Sequence, residues 1–217
     1  MFRWICLALG YLFGNFSTGY LLARARGVDI LHSGSENPGS TNALRTMGLK
    51  AGLLTLAGDM LKLFIPLWIA HRLFPDFDTA YLTALYTGSG TVLGHNFPVL
   101  LKFHGGKGIA CTAALLIYLS PVYLAVFAVL FLGAVFLTRW VSLGSILGCI
   151  GFFAATCFCV LLGRPLGWGG SLGWLPAQGW EIILVTGLLC GLAVWRHRAN
   201  IKRIRNGSEN RISFHKK

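Results

Sequence analysis

The sequence contains little charge, and acidic residues are its scarcest charged group. Only 12% of the 217 residues are charged, whereas about 25% would be usual in a soluble domain. The hydrophobic share is 55%, which argues against an ordinary water-soluble enzyme. Seven membrane-spanning helices of about 20 residues each would occupy roughly 140 positions. An extramembrane domain with its own core hardly fits beside them, so the sequence predicts an all-α, polytopic membrane protein with one domain over 1–217.

Seven aspartates and glutamates are too few for a carboxylate-rich metal centre. The formal net charge of +12 instead favours anionic partners, of which phosphate groups, anionic lipid and nucleic acid are the candidates. The six cysteines all lie in apolar stretches, where a thiol usually packs as a small hydrophobic group. Cys157 and Cys159 also lack the spacing of a zinc or redox pair. We therefore predict no disulfide framework, no metal site and no cofactor.

Apolar segments predict seven spans, at about 4–22, 51–71, 79–101, 109–119, 121–138, 141–163 and 180–195. The interval 109–138 is apolar except at Ser120 and Pro121. It is compatible with one long tilted helix or with two helices that meet at the proline. The distribution of basic residues favours two helices, and therefore seven spans in total.

Lysine and arginine also predict the orientation. With seven spans, one side of the membrane receives fifteen of these residues and the other side receives three. The positive-inside rule then places the N-terminus outside and a basic tail, 196–217, in the cytoplasm. The three are Arg3, Arg72 and Arg164. The fifteen are Arg24, Arg26, Arg45, Lys50, Lys102, Lys107, Arg139, Arg196, Arg198, Lys202, Arg203, Arg205, Arg211, Lys216 and Lys217.

Two predicted spans contain polar residues at membrane depth. Residues 88–98 include three glycines together with His95 and Asn96. Polar or irregular backbone is tolerated there only where it is buried in protein or lines a cavity, so this segment is not a plain lipid-facing span. In the second span, Asp59 and Lys62 are three residues apart on one helix face. One interpretation is a structural pair whose two charges neutralise each other. The other is that the pair supports a polar site, since charged residues inside a membrane usually have a function.

Three polar segments share the cytoplasmic side in this topology. The first, 33–45, is rich in hydroxyls, amides and glycines and ends in an arginine, which suits an anion, although similar runs are common as ordinary turns. The second, 105–108, has the sequence Gly-Gly-Lys-Gly before the fourth span, which suits a phosphate at a helix N-terminus. It is not a Walker A loop, because glycine follows the lysine, and this disfavours nucleoside triphosphate chemistry.

The third polar segment, 197–209, is basic and follows the last span. A basic tail at this place often only binds anionic lipid headgroups. The amides and hydroxyls among its basic residues favour a more specific anion site. Nucleic acid is disfavoured as a partner, because the basic residues lie at a bilayer surface and have no aromatic platform among them.

Together, the three segments resemble the motifs of the bacterial acyl-phosphate:glycerol-3-phosphate acyltransferase family, PlsY. The resemblance extends from residue 10 to about 211. Two positions depart from the family pattern: His104 stands where lysine is expected, and Leu63 stands where glycine is expected. The segments that resemble the family are 33–45, 58–62, 94–98, 105–108, 139–142, 197–201 and 207–209.

The resemblance implies a metal-free enzyme of the bacterial plasma membrane whose active site faces the cytoplasm. Such an enzyme transfers a fatty acyl group from acyl phosphate to the 1-hydroxyl of glycerol 3-phosphate and releases lysophosphatidate and phosphate, the first committed step of phospholipid synthesis. Its partners are the two substrates and the bilayer, and docking of a soluble acyl-phosphate synthase stays open. The alternative is a membrane transporter of an organic phosphate, which would also use basic groups and a broken membrane helix.

The resemblance also divides most of the expected site residues into two phosphate-binding groups, although which phosphate occupies which group stays open. Ser35, Arg45, Lys107, His197 and Asn200 are the predicted catalytic residues, and the others bind substrate. The first group comprises Ser35, Asn37, Thr41, Asn42, Arg45, Gly105, Gly106, Lys107 and Gly108. The second group comprises Ser142, His197, Arg198 and Asn200. Further expected substrate-binding residues, not assigned to either group, are Gly39, His95, Arg203 and Glu209.

The general base has several candidates. His95, His197 and Glu209 can each accept a proton in principle. The donor phosphate can also accept it, since the second pKa of a phosphate monoester is about 6, and we favour this substrate-assisted route. A further pattern, His71 followed five residues later by Asp76, matches the motif of a different, thioester-dependent class of glycerolipid acyltransferases. Its predicted place on the opposite side of the membrane favours coincidence.

Overall fold

The computed structural model describes residues 1–163 and 172–212. All regular secondary structure within these residues is helical, so the prediction of an all-α fold is confirmed for them. Arg164, Lys216 and Lys217, which contributed to the predicted charge distribution, lie outside the described residues. The α-helices are α1 (Phe2–Gly14), α2 (Thr18–Ala25), α3 (Ser40–Met47), α4 (Leu49–Leu61), α5 (Phe64–Leu73), α6 (Ala80–Asn96), α7 (Ile109–Leu119), α8 (Pro121–Thr138), α9 (Val141–Leu161), α10 (Gly179–Arg196) and α11 (Arg198–Arg205).

Five helical stretches among the described residues are long and apolar enough to cross a membrane. The other two predicted spans are shorter, since α6 has 17 residues and α7 has 11. Each of the seven predicted segments therefore corresponds to a helical stretch, but only five meet the length and hydropathy expected of a span. The five are Phe2–Ala25, Leu49–Leu73, Pro121–Thr138, Val141–Leu161 and Pro176–Arg196.

The first two of these stretches are each interrupted, whereas the sequence predicted a single segment. Between α1 and α2 the chain leaves the helix for three residues, and the Ser17 side chain accepts a hydrogen bond from the Tyr20 N–H to cap α2. The break between α4 and α5, at residues 62–63, comes just before Pro66, which has no N–H to donate to the carbonyl four residues earlier, that of Lys62. Leu63 lies in this break, fully buried and with an ordinary φ of −73°, so glycine is not required there.

The interval 109–138 contains two helices, as the charge distribution predicted. α7 ends at Leu119 and α8 begins at Pro121, with the Ser120 hydroxyl accepting a hydrogen bond from the Val122 N–H. Proline suits the first turn of a helix because the N–H it lacks would have no partner there. The proline therefore marks the start of a second helix and not a kink within one.

Glycines bring α6 into direct contact with α1. A Cβ at Gly10 or Gly14 would overlap the backbone of α6, and a Cβ at Gly90 or Gly94 would overlap the backbone of α1. Small residues allow membrane helices to approach this closely. Segment 88–98 is buried in protein, as predicted, but its backbone is a regular α-helix as far as Asn96. The predicted irregularity is therefore confined to the residues around Pro98.

The chain forms two compact units, Met1–Tyr118 and the remainder from Leu119 onwards. The first unit contains segments 33–45 and 94–108. The second contains Ser142 and segment 197–209, and within it α8 packs closely on α9, since a Cβ at Gly144 would lie 2.6 Å from the Phe131 carbonyl oxygen.

Candidate active site

Asn42 organises the loop that precedes α3. Its side-chain oxygen accepts a hydrogen bond from the Ser35 N–H at 2.8 Å, and its amide donates to the Ser33 carbonyl at 2.9 Å. Gly34 lies directly on this side chain with a φ of +62°, and a Cβ there would overlap Asn42 Oδ1. The buried Asn42 side chain thus holds the loop and positions Ser35 through these contacts.

Asn37 connects this loop to the glycine segment. Its Oδ1 accepts a hydrogen bond from the Gly39 N–H at 3.0 Å, and its Nδ2 makes a long hydrogen bond of 3.4 Å to the Gly105 carbonyl. Thr41 is half-buried in the first turn of α3, and Arg45 is exposed in its last turn. The structure therefore brings predicted residues from both polar segments of the first unit together.

Residues 105–108 fold against the end of α6. The Gly106 N–H donates to the His95 carbonyl at 2.9 Å, and a Cβ at Gly105 or Gly106 would overlap atoms of His95. Gly108 has a φ of +77° and immediately precedes α7. The close contact with His95 and the positive φ explain why glycines occupy these positions. Among residues 105–108, Lys107 alone has a side chain, and it lies at the N-terminus of α7. His104, the departure from the family pattern, is exposed.

Asn96 is a residue of this region that the sequence analysis did not select. Its side chain is fully buried, yet neither the amide oxygen nor the nitrogen has a hydrogen-bond partner among the described residues. A Cβ added at Gly108 would lie 2.9 Å from Asn96 Oδ1, so the amide faces the start of α7. Leaving such a group without a partner costs about 1–3 kcal/mol. The amide is therefore suited to form hydrogen bonds with a ligand at the glycine turn. A polar side chain at membrane depth is the feature of the sequence by which Asn96 could have been selected.

Glu209 is the centre of the predicted site residues in the second unit. One carboxylate oxygen accepts hydrogen bonds from the Ser142 hydroxyl at 3.0 Å and from the Asn200 amide at 2.8 Å. The other oxygen forms an ion pair with the Arg203 guanidinium at 2.8 Å. The chain continues past Glu209 to Ile212, whose N–H donates to the Arg139 carbonyl at 2.9 Å. Glu209 therefore joins the start of α9 to α11.

The environment of Glu209 changes its pKa in two opposing ways. Burial raises the pKa of this carboxyl, but the hydrogen bonds from Asn200, Arg203 and Ser142 and the charge of Arg203 lower it by more, so the pKa is below its ordinary value. The carboxylate is therefore ionised at neutral pH. Ser142, Asn200 and Arg203 are therefore held in place by the negative charge of the Glu209 carboxylate.

His197 and Arg198 begin the third polar segment with different surroundings. His197 is buried, and its Nδ1 donates to the Ala193 carbonyl at 2.7 Å. Because a carbonyl only accepts, the neutral ring carries its proton on Nδ1, and Nε2 holds the lone pair. The exposed Arg198 guanidinium lies 4.2 Å from the Trp195 ring centroid and donates to the Trp195 carbonyl, so it contacts α10 and not Glu209.

Comparison with known proteins identifies the family. A family model described as glycerol-3-phosphate acyltransferase matches residues 4–207. The glycerol-3-phosphate acyltransferase of Alkaliphilus metalliredigens is 39% identical over 98% of this chain and 97% of its own length, and that of Geobacter sulfurreducens is 37% identical over 96% of both. The chain belongs to the glycerol-3-phosphate acyltransferase family.

Crystal structures of a glycerol-3-phosphate acyltransferase agree with this assignment. PlsY, an integral membrane glycerol 3-phosphate acyltransferase, is 32% identical to this chain. Its glycerol 3-phosphate form matches with a TM-score of 0.79 over 97% of this chain and 96% of that one. Its lysophosphatidic acid form matches with a TM-score of 0.77 over 97% and 95%. The predicted family is confirmed, and the chain is an integral membrane acyltransferase of phospholipid biosynthesis.

The glycine turn of this acyltransferase offers a direct test. Gly106→Ala should lower kcat/KM by about 10²-fold, because the new Cβ overlaps His95 and displaces the turn by a distance on the order of 1 Å. Steady-state kinetics of the purified variant would measure the loss. Gly133→Ala is the matched control, since nothing lies within 4 Å of a Cβ at that position of α8. Equal kinetics for the two variants would contradict this role of the turn.

The His71 and Asp76 pattern has a structural explanation. The Asp76 carboxylate accepts hydrogen bonds from the Asp78 N–H and the Thr79 hydroxyl and so caps the short turn Phe77–Thr79. His71 packs on Tyr118 with ring centroids 5.6 Å apart. In the described part of the chain no hydrogen bond or ion pair joins His71 to Asp76. We therefore expect Asp76→Asn to keep at least half of the wild-type turnover, and a loss of more than about tenfold in folded protein would reinstate the motif.

Proposed function

We propose that this chain transfers a fatty acyl group from acyl phosphate to the 1-hydroxyl of glycerol 3-phosphate. The 1-hydroxyl oxygen forms a bond to the acyl carbon, the bond from that carbon to the phosphate oxygen breaks, and the products are lysophosphatidate and inorganic phosphate. The observation that carries the proposal is the similarity over 97% of the chain to an acyltransferase captured in both a glycerol 3-phosphate and a lysophosphatidic acid form. These two molecules are the acceptor and the product of this reaction.

Acyl phosphate is the donor that best suits the chemistry of these residues. It is a mixed anhydride, so its phosphate departs without a covalent enzyme nucleophile. What the protein then supplies is charge and position for two phosphate groups. Preorganised positive groups and N–H donors stabilise the developing oxyanion and the departing phosphate, and such electrostatic stabilisation usually contributes most to catalysis.

We assign one phosphate to the group in the first unit. Arg45, Lys107 and the N–H groups of 105–108 neutralise and bind it, and Ser35 and Thr41 orient it by hydrogen bonds. Asn42 contributes by holding the Ser35 loop in place. The amide of Asn96 is a further candidate ligand at the same turn, because it is buried without a partner among the described residues.

We assign the other phosphate, that of glycerol 3-phosphate, to the group in the second unit. Arg198 supplies a direct contact in this proposal, and His197 supplies one when its ring is protonated, because Nε2 of the neutral ring has no hydrogen to donate. Ser142, Asn200 and Arg203 donate to Glu209, so their role includes fixing the geometry of α11 and the start of α9. The hydroxyl proton passes to the departing phosphate, which needs no protein base because its second pKa is about 6.

The proposed enzyme has seven spans in a single domain of the bacterial plasma membrane, with the N-terminus outside and the tail at 196–217 in the cytoplasm. The concentration of basic residues in alternate loops supports this orientation. A cytoplasmic site would receive soluble glycerol 3-phosphate directly. A soluble acyl-phosphate synthase that docks beside it would deliver the poorly soluble donor.

Product formation by purified protein tests the proposal. Protein in detergent is incubated with glycerol 3-phosphate and palmitoyl phosphate, palmitoyl-CoA or palmitoyl-acyl carrier protein, with EDTA present. We expect lysophosphatidate from palmitoyl phosphate alone. Product from the thioesters only would overturn the donor assignment. No product from any donor, together with uptake of labelled glycerol 3-phosphate into sealed proteoliposomes, would support the transporter instead.

A further inference from the structure

Three ionisable side chains meet inside the first unit, away from its surface. Asp59 and His95 have side-chain exposures of 1% and 3%, and that of Lys62 is 8%. Lys62 Nζ lies 2.8 Å from His95 Nδ1 and 3.4 Å from Asp59 Oδ1. The sequence left Asp59 and Lys62 open between a structural pair and the support of a polar site. Their contact with His95 connects them to the glycine turn.

Lys62 lies where two helical breaks meet. It ends α4, and its ammonium donates to the carbonyls of Gly14 at 3.2 Å and Phe16 at 2.7 Å, which border the break between α1 and α2. Backbone carbonyls released by a helix break need partners when they are buried. Lys62 supplies these partners, so its ammonium is held in place by groups outside its own helix.

The contacts of Lys62 determine the tautomer of His95. A lysine ammonium has three N–H donors and no acceptor, and the two carbonyls can only accept. The contact with His95 Nδ1 is therefore also a donation from Lys62, and Nδ1 carries no proton. The alternative is a neutral Lys62 amine that accepts a hydrogen bond from a proton on Nδ1. It would leave the buried Asp59 carboxylate without a positive charge beside it, which is costly in free energy.

The same contacts oppose a positive charge on His95. Protonation at Nδ1 would break the donation from Lys62 and place two cations 2.8 Å apart beside one carboxylate. Asp59 is 3.8 Å from Nδ1, too far to replace that hydrogen bond. The neutral ring thus carries its proton on Nε2.

The Nε2 end of the ring lies against the glycine turn. A Cβ at Gly106 would overlap Nε2, and the Gly106 N–H donates to the His95 carbonyl at 2.9 Å. His95 is therefore held by Lys62 at one end of the ring and presents an N–H group to the turn that contains Lys107 at the other.

We infer that Asp59 and Lys62 are positioning residues that hold the His95 ring against the glycine turn in its neutral form with the proton on Nε2, so that His95 fixes the turn and is not the general base. The inference rests on the proposed function for the role of the glycine turn, which binds a phosphate of the substrate. The tautomer itself is independent of that function. It can be measured in protein without substrate.

The experiment is ¹⁵N NMR of histidine-labelled full-length protein in detergent micelles, with the His95 signals assigned by their loss in His95→Gln. Protonated and unprotonated ring nitrogens have well-separated shifts, so the spectrum reports the tautomer. We expect wild-type His95 to be neutral with the proton on Nε2. Lys62→Met should reduce this tautomer and lower kcat/KM by about 10- to 100-fold, mainly through KM, because the turn loses its fixed position.

Lys50→Met is the matched control, since Lys50 is an exposed lysine of the same helix. It should leave both the His95 signals and the kinetics unchanged. A wild-type ring that is charged, or protonated on Nδ1, would overturn the inference, and this measurement requires no folded Lys62 variant. An unchanged tautomer and KM in folded Lys62→Met would also overturn it. Absence of product with palmitoyl phosphate would count against the proposed function alone.

Discussion

Lys107→Met should lower kcat/KM for acyl transfer by about 10²- to 10³-fold, the usual effect of removing one group that stabilises a transition-state anion. Methionine keeps the approximate length of the side chain and removes its charge. Lys107 lies between buried glycines directly before α7, so the backbone of the turn should persist in the variant. The loss would be measured from initial rates at several concentrations of both substrates.

Lys102→Met provides the control for this prediction. Lys102 is an exposed lysine five residues earlier in the same loop. Its φ of +50° is left-handed, but this backbone strain is about the same for methionine as for lysine. We expect its kcat/KM to stay within about twofold of wild type, since surface charge acts weakly. Lys107→Arg should recover part of the rate because it restores the charge. A Lys107→Met enzyme as active as Lys102→Met would contradict the assignment of Lys107 to phosphate.

Glu209→Ala should destabilise the protein by about 2 kcal/mol, because Ser142, Asn200 and Arg203 lose the charged acceptor of their hydrogen bonds. It should also lower kcat by about 10²-fold, since α11 and the start of α9 are no longer joined. Thermal unfolding in detergent and initial rates would measure the two effects. Asn210→Ala, at an exposed neighbouring residue, should change neither. A Glu209→Ala protein with wild-type stability would contradict the role of this carboxylate.

The pKa of Glu209 adds a pH dependence to the same prediction. Burial raises this pKa, but the hydrogen bonds and the Arg203 charge together lower it by a larger amount. The pKa is therefore below its ordinary value. A lowered pKa in the folded state gives stabilisation that is complete above the ordinary glutamate pKa of about 4.3 and is lost as the pH falls toward the folded-state pKa. The difference in Tm between wild type and Glu209→Ala should therefore be constant from about pH 8 to about pH 6 and shrink below about pH 4. A difference that grows as the pH falls would contradict the pKa direction.

The positions of the helices could be predicted from hydropathy and charge, but their interruptions could not. Charge correctly favoured two helices in 109–138, because the alternative would have moved the basic tail across the membrane. The breaks after Gly14 and Leu61 escaped detection because apolar residues flank both of them. Their stabilisation depends on Lys62, whose partners are distant in sequence. The burial of 88–98 followed from its polarity, whereas its regular helical form depends on glycine contacts with α1.

The residues of the candidate site could be proposed from the sequence, whereas the contacts that they make could not. The family resemblance selected Asn42 and Glu209 as expected substrate-binding groups. In the structure Asn42 holds the Ser35 loop, and Glu209 holds Ser142 and Asn200. Which partner a polar side chain meets depends on tertiary packing that a sequence pattern does not contain. Asn96 was missed for the same reason, since only the structure shows that its buried amide has no partner among the described residues.

The most direct test of the central claim is the stoichiometry and donor choice of the reaction in a single vessel. Purified protein receives glycerol 3-phosphate with equal concentrations of ¹⁴C-palmitoyl phosphate and ³H-palmitoyl-CoA, with EDTA present, and phosphate release is followed by ³¹P NMR. We expect lysophosphatidate that carries ¹⁴C only, with one inorganic phosphate released for each molecule formed. Lysophosphatidate that carries ³H, formed without release of phosphate, would contradict the account.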